Sequence, residues 1–210
     1  MPDPSTFGLF LTAAFILSVT PGPGLLYTLA RSIHGGKSAG ISSVLGLFVG
    51  GLVHVVAAAI GISSLLMTSA IAFSVVKYAG AAYLIYLGVR TLLRADTLAV
   101  DPAEATLERN DWVFYQGVMT EVLNPKTALF FLAFIPQFIR VESGHVFAQF
   151  MLLGLITAVM NLLSDLAVAL FAGPIGQRLR ENIRFRRRQQ TVSGFGLIGL
   201  GAYVAVAEQS

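Results

Sequence analysis

The sequence predicts an all-α integral membrane protein with six transmembrane helices, arranged as two inverted three-helix repeats in which helices 1 and 4 are broken. Composition is the first reason, because 55% of the 210 residues are hydrophobic, 12% are charged and the mean hydropathy is +0.75. Soluble domains are less apolar and more charged. The second reason is a series of apolar segments, most of them longer than the ~20 residues that a helix needs to cross a bilayer. The third is a proline-containing interruption that recurs in the first and fourth segments.

The apolar segments are residues 7–30, 41–67, 70–93, 113–139, 146–172 and 191–207. They divide the chain into a first repeat at residues 1–94, a linker at 95–112 and a second repeat at 113–210. The linker is acidic, and we interpret it as a solvated cytoplasmic loop. No Lys or Arg precedes the first segment, so we expect its helix to be retained rather than cleaved as a signal peptide. The absence of cysteine excludes disulfides and thiolate metal sites, and no metal or cofactor is expected.

The first segment is interrupted near its middle by Thr20, Pro21, Gly22, Pro23 and Gly24. Proline removes a backbone donor and restricts the preceding residue, which predicts that a helix from Phe7 ends near Val19. A new helix can begin at Pro23, because proline is well tolerated at the first helical position. Unpaired backbone groups are costly in hydrocarbon, so such a break must be buried in protein or line a water-filled cavity.

The fourth segment has a corresponding break at Asn124, Pro125 and Lys126. Asn124 is a good N-cap for a helix that begins at Pro125. Helical rise places both breaks near the middle of a ~30 Å core, where two half-helix N-termini and the charge of Lys126 would favour a carboxylate. The alternative is a pair of proline kinks in ordinary bundle helices.

Polar side chains recur every four residues on the predicted fifth span, at Thr157, Asn161 and Asp165. Ionisable groups within a membrane are costly and need a functional reason. Asp165 is therefore the first candidate proton carrier, with Glu121 as the second, unless Glu121 only neutralises Lys126. Asn161 joins the two breaks as a candidate substrate-binding residue.

His54 shares a face of the second span with Gly46 and Gly50. We interpret His54 as a packed, hydrogen-bonded residue in preference to a third proton carrier. The glycines permit close helix contact, which fits either packing within one chain or a homodimer. A similar four-residue spacing places Gln116, Thr120 and Asn124 on one face of the fourth span.

Orientation follows from the distribution of Lys and Arg in the loops. Two cationic residues, Lys77 and Arg140, lie on one side. The other side holds Arg31, Lys37, Arg90, Arg94, Arg109, Arg178, Arg180, Arg184, Arg186, Arg187 and Arg188. This larger group predicts the cytoplasmic side, with both termini periplasmic. The run from Arg178 to Arg188 serves as a positive-inside anchor or binds anionic lipid.

The two halves echo one another. Pro21 corresponds to Pro125, and residues 84–88 (Leu-Ile-Tyr-Leu-Gly) resemble residues 197–201 (Leu-Ile-Gly-Leu-Gly). Three spans are an odd number of crossings, so the second copy would enter the membrane from the opposite side. The repeats are therefore predicted to be related by a pseudo-twofold axis in the membrane plane.

Four motifs together resemble the lysine exporter (LysE) superfamily, in particular its homoserine/threonine (RhtB) branch. They are Thr20-Pro21-Gly22-Pro23, Gly35-Gly36-Lys37 with Gly40, Gly80-Ala81-Ala82-Tyr83-Leu84 leading to Gly88, and Asn124-Pro125-Lys126-Thr127-Ala128 leading to Pro136-Gln137-Phe138. The resemblance covers nearly the whole chain. It implies a bacterial inner-membrane exporter of amino acids or their derivatives, driven by protons. Gly24 and Glu121 depart from the family pattern, which often has a polar residue such as Asp or Asn at the first and an uncharged polar residue at the second.

Three functional classes follow from these observations. The favoured class is a secondary transporter of a homoserine- or threonine-like or other neutral amino acid by proton antiport. Its carboxylate would contact the breaks and Lys126, and its ammonium Asp165 or Glu121. An enzyme is not expected, because the chain has no His-Glu-x-x-His, Gly-x-Ser-x-Gly or Cys. A passive channel or structural membrane subunit is the alternative. The expected partners are the substrate, protons and lipid, and no nucleic acid.

Overall fold

A computed structural model describes residues 4–68, 70–93, 109–172 and 183–206, and these residues form helices and short connections without a strand. The α-helices are α1 (Pro4–Val19), α2 (Pro23–Thr68), α3 (Ala70–Leu93), α4 (Asn110–Val122), α5 (Pro125–Leu129), α6 (Val146–Leu170) and α7 (Ile183–Val206). A π-helical turn (Phe130–Phe134) and a 3-10 turn (Ile135–Phe138) continue α5, and a second 3-10 turn (Val141–Ser143) precedes α6. The predicted all-α class is confirmed for this part of the chain.

Helix α2 is a hairpin rather than one straight rod. Gly36 has φ 72° and ψ −169°, a conformation that a residue without Cβ adopts readily. The segments on either side pack antiparallel: Gly40 lies directly against Ser32, and the Ser43 hydroxyl donates to the Thr28 hydroxyl at 3.3 Å. The hairpin therefore supplies the second half of the first predicted span, the glycine-containing connection and the second span.

Length and hydropathy identify three described helices that can cross a membrane: Pro23–Gly61, Ile71–Leu93 and Val146–Leu170. The pair Asn110–Val122 and Pro125–Phe138, bent by 42° at its break, makes a fourth if it counts as one span. Helix α1 is apolar but has only 16 residues, fewer than the ~20 of a full crossing. These criteria establish three to four membrane-capable helices in the described ranges. The predicted total of six remains a prediction.

The last helix begins earlier than the sequence predicted. Helix α7 starts at Ile183 rather than at Thr191, so Arg184, Arg187 and Arg188 are exposed on its first turns. Arg is a good helix former, and its long side chain can reach the membrane surface from a helix end. Arg178 and Arg180 of the predicted arginine cluster lie outside the described residues, as does most of the predicted linker at 95–112.

A large group of aromatic rings forms part of the main hydrophobic core. Phe10, Phe134 and Phe138 are fully or almost fully buried, and the Phe134 and Phe138 ring centroids lie 4.8 Å apart. Tyr203, near the end of α7, stacks on Phe138 at 5.9 Å. Pro136 lacks an N–H for the helical ladder, which accounts for the change from α-helix to wider and then tighter turns beside these rings.

Helices α3 and α7 pack antiparallel through reciprocal glycines. A Cβ built at Gly88 would lie 2.6 Å from the Gly194 carbonyl oxygen and would also meet Ile198. A Cβ at Gly201 would lie 2.7 Å from the Ala81 carbonyl oxygen and would meet Ile85. At this distance between the two helices, both positions require glycine. The contacts that Gly88 makes with α7 correspond to those that Gly201 makes with α3.

Gly46 and Gly50 bring α2 against α4 within the same chain. A Cβ at Gly46 would collide with the Phe114 carbonyl oxygen, and one at Gly50 would lie 2.7 Å from that of Val118. These contacts show that Gly46 and Gly50 pack within one chain, and a homodimer stays a prediction.

Candidate functional site

The first break has the predicted bounds. Helix α1 ends at Val19 and α2 begins at Pro23. The Thr20 N–H donates to the carbonyl oxygen of Ile16 at 3.1 Å, and the Thr20 hydroxyl also donates there at 2.6 Å. Thr20 is 1% exposed, so the break lies within the protein. The proline and glycine chemistry of the sequence is sufficient to set both helix ends.

The second break is also confirmed. Helix α4 ends at Val122, Asn124 is the N-cap of α5, and Pro125 follows at the first helical position. The Asn124 side-chain oxygen accepts a hydrogen bond from the Lys126 N–H at 3.1 Å. Asn124 is 3% exposed. This cap satisfies one of the backbone donors that a helix start leaves free.

The Lys126 side chain joins the two breaks. Its ammonium donates to the carbonyl oxygens of Leu17 at 3.1 Å and Thr20 at 2.9 Å. These carbonyls lie at the C-terminal end of α1, where helix carbonyls lack helical partners and carry partial negative charge. A Cβ on Gly22 would lie only 3.1 Å from the Lys126 ammonium, so glycine leaves room for this contact. The predicted meeting of the two breaks is confirmed.

A cavity of about 250 Å³ lies beside the joined breaks, and we call it the larger cavity. The first break contributes Thr20, Pro21, Gly22 and Pro23, and the second contributes Asn124, Pro125 and Lys126. The opposite wall comes from Tyr83, Leu87, Arg90 and Thr91 of α3 and from Gln190 and Leu197 of α7, with Leu26 completing the lining. Arg90 is exposed, so the cavity extends toward the end where α3 finishes and α7 begins.

A second, smaller cavity of about 20 Å³ lies on another side of Asn124 and Lys126, with room for roughly one water. Its lining holds the remaining predicted site residues except His54, together with two hydroxyl groups and Leu25 that were not predicted. The lining consists of Ser18, Gly24, Leu25, Glu121, Asn124, Lys126, Thr127, Asn161 and Asp165. Asn124 and Lys126 line both cavities, so a change of charge or shape in one cavity directly affects residues that line the other.

Glu121 is held in place by α5. Its carboxylate accepts hydrogen bonds from the Asn124 amide at 3.0 Å and from the Thr127 hydroxyl at 2.7 Å, and the residue is 7% exposed. The Lys126 ammonium donates its hydrogen bonds to Leu17 and Thr20 instead, so the alternative role of Glu121, to neutralise Lys126, stays a prediction. A Cβ on Gly24 would lie 3.1 Å from the Glu121 carboxylate. The Glu121 side chain thus occupies the space beside Gly24.

His54 lies outside both cavity linings. Its Nε2 donates to the carbonyl oxygen of Glu121 at 2.8 Å, and its ring stacks on Phe131 with centroids 6.2 Å apart. This agrees with the interpretation of His54 as a packed, hydrogen-bonded residue.

The two predicted polar stripes differ in outcome. On α6, Asn161 and Asp165 both reach the smaller cavity, while the buried Thr157 hydroxyl donates to its own helix at Leu153. On α4, Gln116 accepts hydrogen bonds from Tyr27 and Arg31 and lies away from both cavities. The spacing therefore predicted the shared face on α6 but did not bring Gln116 to the site.

Sequence reasoning missed the α3 and α7 wall. Tyr83, Leu87, Arg90 and Thr91 are spaced as positions i, i+4, i+7 and i+8, which is one face of a helix. Three polar residues on one face of an apolar span were a usable signal. Arg90 was instead counted only as a marker of orientation, and Gln190 lay outside the span predicted to begin at Thr191.

Comparison with known proteins identifies the family. The family model described as LysE type translocator matches residues 15–208. The chain belongs to the LysE family. The homoserine/homoserine lactone efflux protein of Salmonella typhimurium is 30% identical over 204 residues, covering 96% of each chain. An uncharacterized membrane protein of Vibrio cholerae is 29% identical over 95% of this chain and 96% of its own. The membrane protein YrhP of Bacillus subtilis is 28% identical over 91% of this chain and 94% of its own. No solved structure matches the chain.

Family membership confirms a membrane transport protein and the resemblance to homoserine exporters. The two breaks and both cavities therefore belong to a membrane transport protein, in which a broken helix is tolerated where it is buried in protein or lines a cavity.

Proposed function

We propose that this LysE-family protein is a bacterial inner-membrane secondary transporter that exports amino acids or their derivatives by proton antiport. The observation that carries the proposal is the cavity at which the two helix breaks meet. Half-helix N-termini at Pro23 and Pro125 face a shared space, and such ends favour a carboxylate. The Salmonella relative's name supplies homoserine-like compounds as the first substrates to test.

The architecture that suits this function is a pair of inverted three-span repeats. The reciprocal contacts between α3 and α7 support it: Gly88 meets Gly194 and Ile198, and Gly201 meets Ala81 and Ile85. An axis that exchanges Gly88 with Gly201 also exchanges the partners in each pair. The α2 hairpin at Gly36 supports separate first and second spans. In this proposal α1 with the start of α2 forms span 1, and α4 with α5 forms span 4.

The described conformation is open toward the cytoplasm in this proposal. Arg90, Thr91 and Gln190 lie at the end of the larger cavity that the positive-inside rule assigns to the cytoplasm. The opposite end is closed by the buried rings around Phe134 and Phe138. Export would require these rings to separate while the cytoplasmic end closes.

Proton coupling is assigned to the smaller cavity. Asp165 and Glu121 line it together with Lys126 and Asn124, which also line the larger cavity. A proton gained or lost by Asp165 would change the charge beside Lys126, whose ammonium holds α1 to α5. We call the contacts of the Lys126 ammonium with Leu17 and Thr20 the clamp. Coupling through this clamp does not require the substrate to contact Asp165. A direct contact between a substrate ammonium and Asp165 stays a prediction, as does a proton-carrying role for His54.

Reconstituted vesicles test the function. Purified protein in proteoliposomes is given a panel of radiolabelled amino acids, with homoserine and threonine first, under an imposed pH gradient. Transport that responds to the gradient and is accelerated by unlabelled substrate on the far side supports the antiporter. A passive channel would give flux without accelerated exchange. No flux with any amino acid of the panel or with its N-acetyl derivative would contradict the proposal.

A further inference from the structure

The α3 side of the larger cavity is polar at both ends, whereas α7 contributes the polar Gln190 and the apolar Leu197. Tyr83 and Arg90 are two helical turns apart on the same face of α3, which separates their backbones by about 11 Å. Gln190 and Leu197 have the same spacing on α7. The cavity therefore offers hydrogen-bond donors at the breaks and again along the wall toward the exposed end.

Among the described residues that line the larger cavity, the charged side chains are all cations. Lys126 lies at the breaks and Arg90 at the opposite end, and no Asp or Glu is part of this described lining. The N-terminus of α2 at Pro23 adds a partial positive charge. Arg90 is the more available cation for a ligand, because the ammonium of Lys126 already donates to two carbonyl oxygens of α1.

The nearest carboxylates belong to the smaller cavity. Glu121 accepts hydrogen bonds from Asn124 and Thr127, and Asp165 lines the smaller cavity only. An ammonium group that leaves water for the larger cavity would meet two cations and no described carboxylate. Desolvation of a charged group without an opposite partner is strongly unfavourable.

We infer that the larger cavity prefers amino-acid derivatives whose nitrogen carries no charge, so that the ligand is a monoanion: N-acyl amino acids are the fitting class. The carboxylate faces the breaks, and the acyl oxygen accepts hydrogen bonds from Tyr83 and Arg90 along α3. This inference rests on the proposed export function and specifies its substrate. Arg90 then acts as a specificity-determining residue, because its cation discriminates between a monoanion and a zwitterion of the same side chain.

The test compares L-homoserine with N-acetyl-L-homoserine in counterflow, at equal concentration and neutral pH, in proteoliposomes that hold the parent protein. We expect a preference of about fivefold for the N-acetyl compound, the upper end of what a solvent-accessible charge pair provides. Arg90→Gln should reduce this preference toward unity, and Arg90→Lys should retain most of it. Arg187→Gln is the matched control, because Arg187 is an exposed arginine on the first turns of α7 and does not line the cavity.

The outcomes separate this inference from the proposed function. If the parent protein carries homoserine as well as or better than its N-acetyl derivative, the inference is wrong and the export function stands. If Arg90→Gln slows both compounds equally, Arg90 has a structural role only, and the assigned specificity is wrong. If the parent protein carries neither these compounds nor any other member of the amino-acid panel, the export function itself fails. The parent protein's preference is measured independently of the folding of any variant.

Discussion

Replacing Lys126 should loosen the two breaks before it affects any substrate contact. In Lys126→Met the side chain keeps its approximate length but can no longer donate to Leu17 and Thr20 at 3.1 and 2.9 Å. Hydrogen bonds that involve a charged group contribute about 1.5–3 kcal/mol each. The Leu17 oxygen keeps the Thr20 N–H as a donor at 3.2 Å, so the larger loss falls on the Thr20 oxygen. We expect a total destabilisation of about 3 kcal/mol.

Thermal unfolding in detergent micelles measures this loss, and counterflow in proteoliposomes measures the transport defect. We expect Tm to fall by roughly 6–12 °C and transport of every substrate to fall with it. Lys126→Arg should recover part of the stability, since it keeps a cationic donor. Lys37→Met is the control, because Lys37 is exposed beside the α2 hairpin. Unchanged Tm with abolished transport would refute the clamp and return Lys126 to direct carboxylate binding.

Three further predictions test packing, orientation and ligand chemistry. Gly46→Ala should lower Tm, because the new Cβ collides with the Phe114 carbonyl oxygen and overpacking costs about 1–3 kcal/mol. The control is Gly51→Ala, whose new Cβ has no atom within 4 Å and which should be neutral or stabilising. Equal Tm values for the two variants would refute the close packing at Gly46. Cysteine at Ser143 should react with an impermeant thiol reagent in intact cells, and cysteine at Ser38 should not; the reverse pattern would invert the proposed orientation. An exported amino acid should bind at least about tenfold more tightly than its amide in a competition assay, and equal binding would refute carboxylate recognition at the breaks.

The helix breaks were predictable because they follow from local chemistry. Pro21 and Pro23 remove backbone donors, and Asn124 caps its own helix, so their effects do not depend on distant residues. The start of α7 was not predictable in this way. Its first turns are rich in Arg, which a hydropathy pattern excludes from a span, although Arg is a good helix former.

The site was only partly predictable, because its remaining features depend on tertiary contacts. The approach of Lys126 to Thr20 joins residues that are 106 positions apart. Nothing local to Lys126 distinguishes that role from a substrate ligand. Glu121 likewise has two partners close in sequence, Asn124 and Thr127, but its position beside Gly24 depends on how α2 packs. The separation of one predicted site into two cavities follows from that packing.

The division into two cavities also bears on which carboxylate carries the proton. Asp165 shares the smaller cavity with Glu121, and Lys126 lines it as well. Glu121 already accepts two hydrogen bonds from α5, which fits a fixed structural carboxylate better than one that changes partners during transport. We therefore propose Asp165 as the proton carrier in preference to Glu121. Asp165→Asn should abolish the acceleration of export by an acidic external pH, while substrate-for-substrate exchange without a gradient persists.

The same measurement on Glu121→Gln provides the comparison. Gln has nearly the shape of Glu but cannot accept hydrogen bonds at both terminal atoms, so this variant should lose stability at the α5 cap, with Tm falling, and should retain pH-driven export in the fraction that folds. Binding and coupling are thereby read separately, because exchange reports the larger cavity and the pH response reports the smaller one. If correctly inserted Asp165→Asn protein keeps full pH-driven export, the proton does not reside on Asp165, and Glu121 or His54 must carry it.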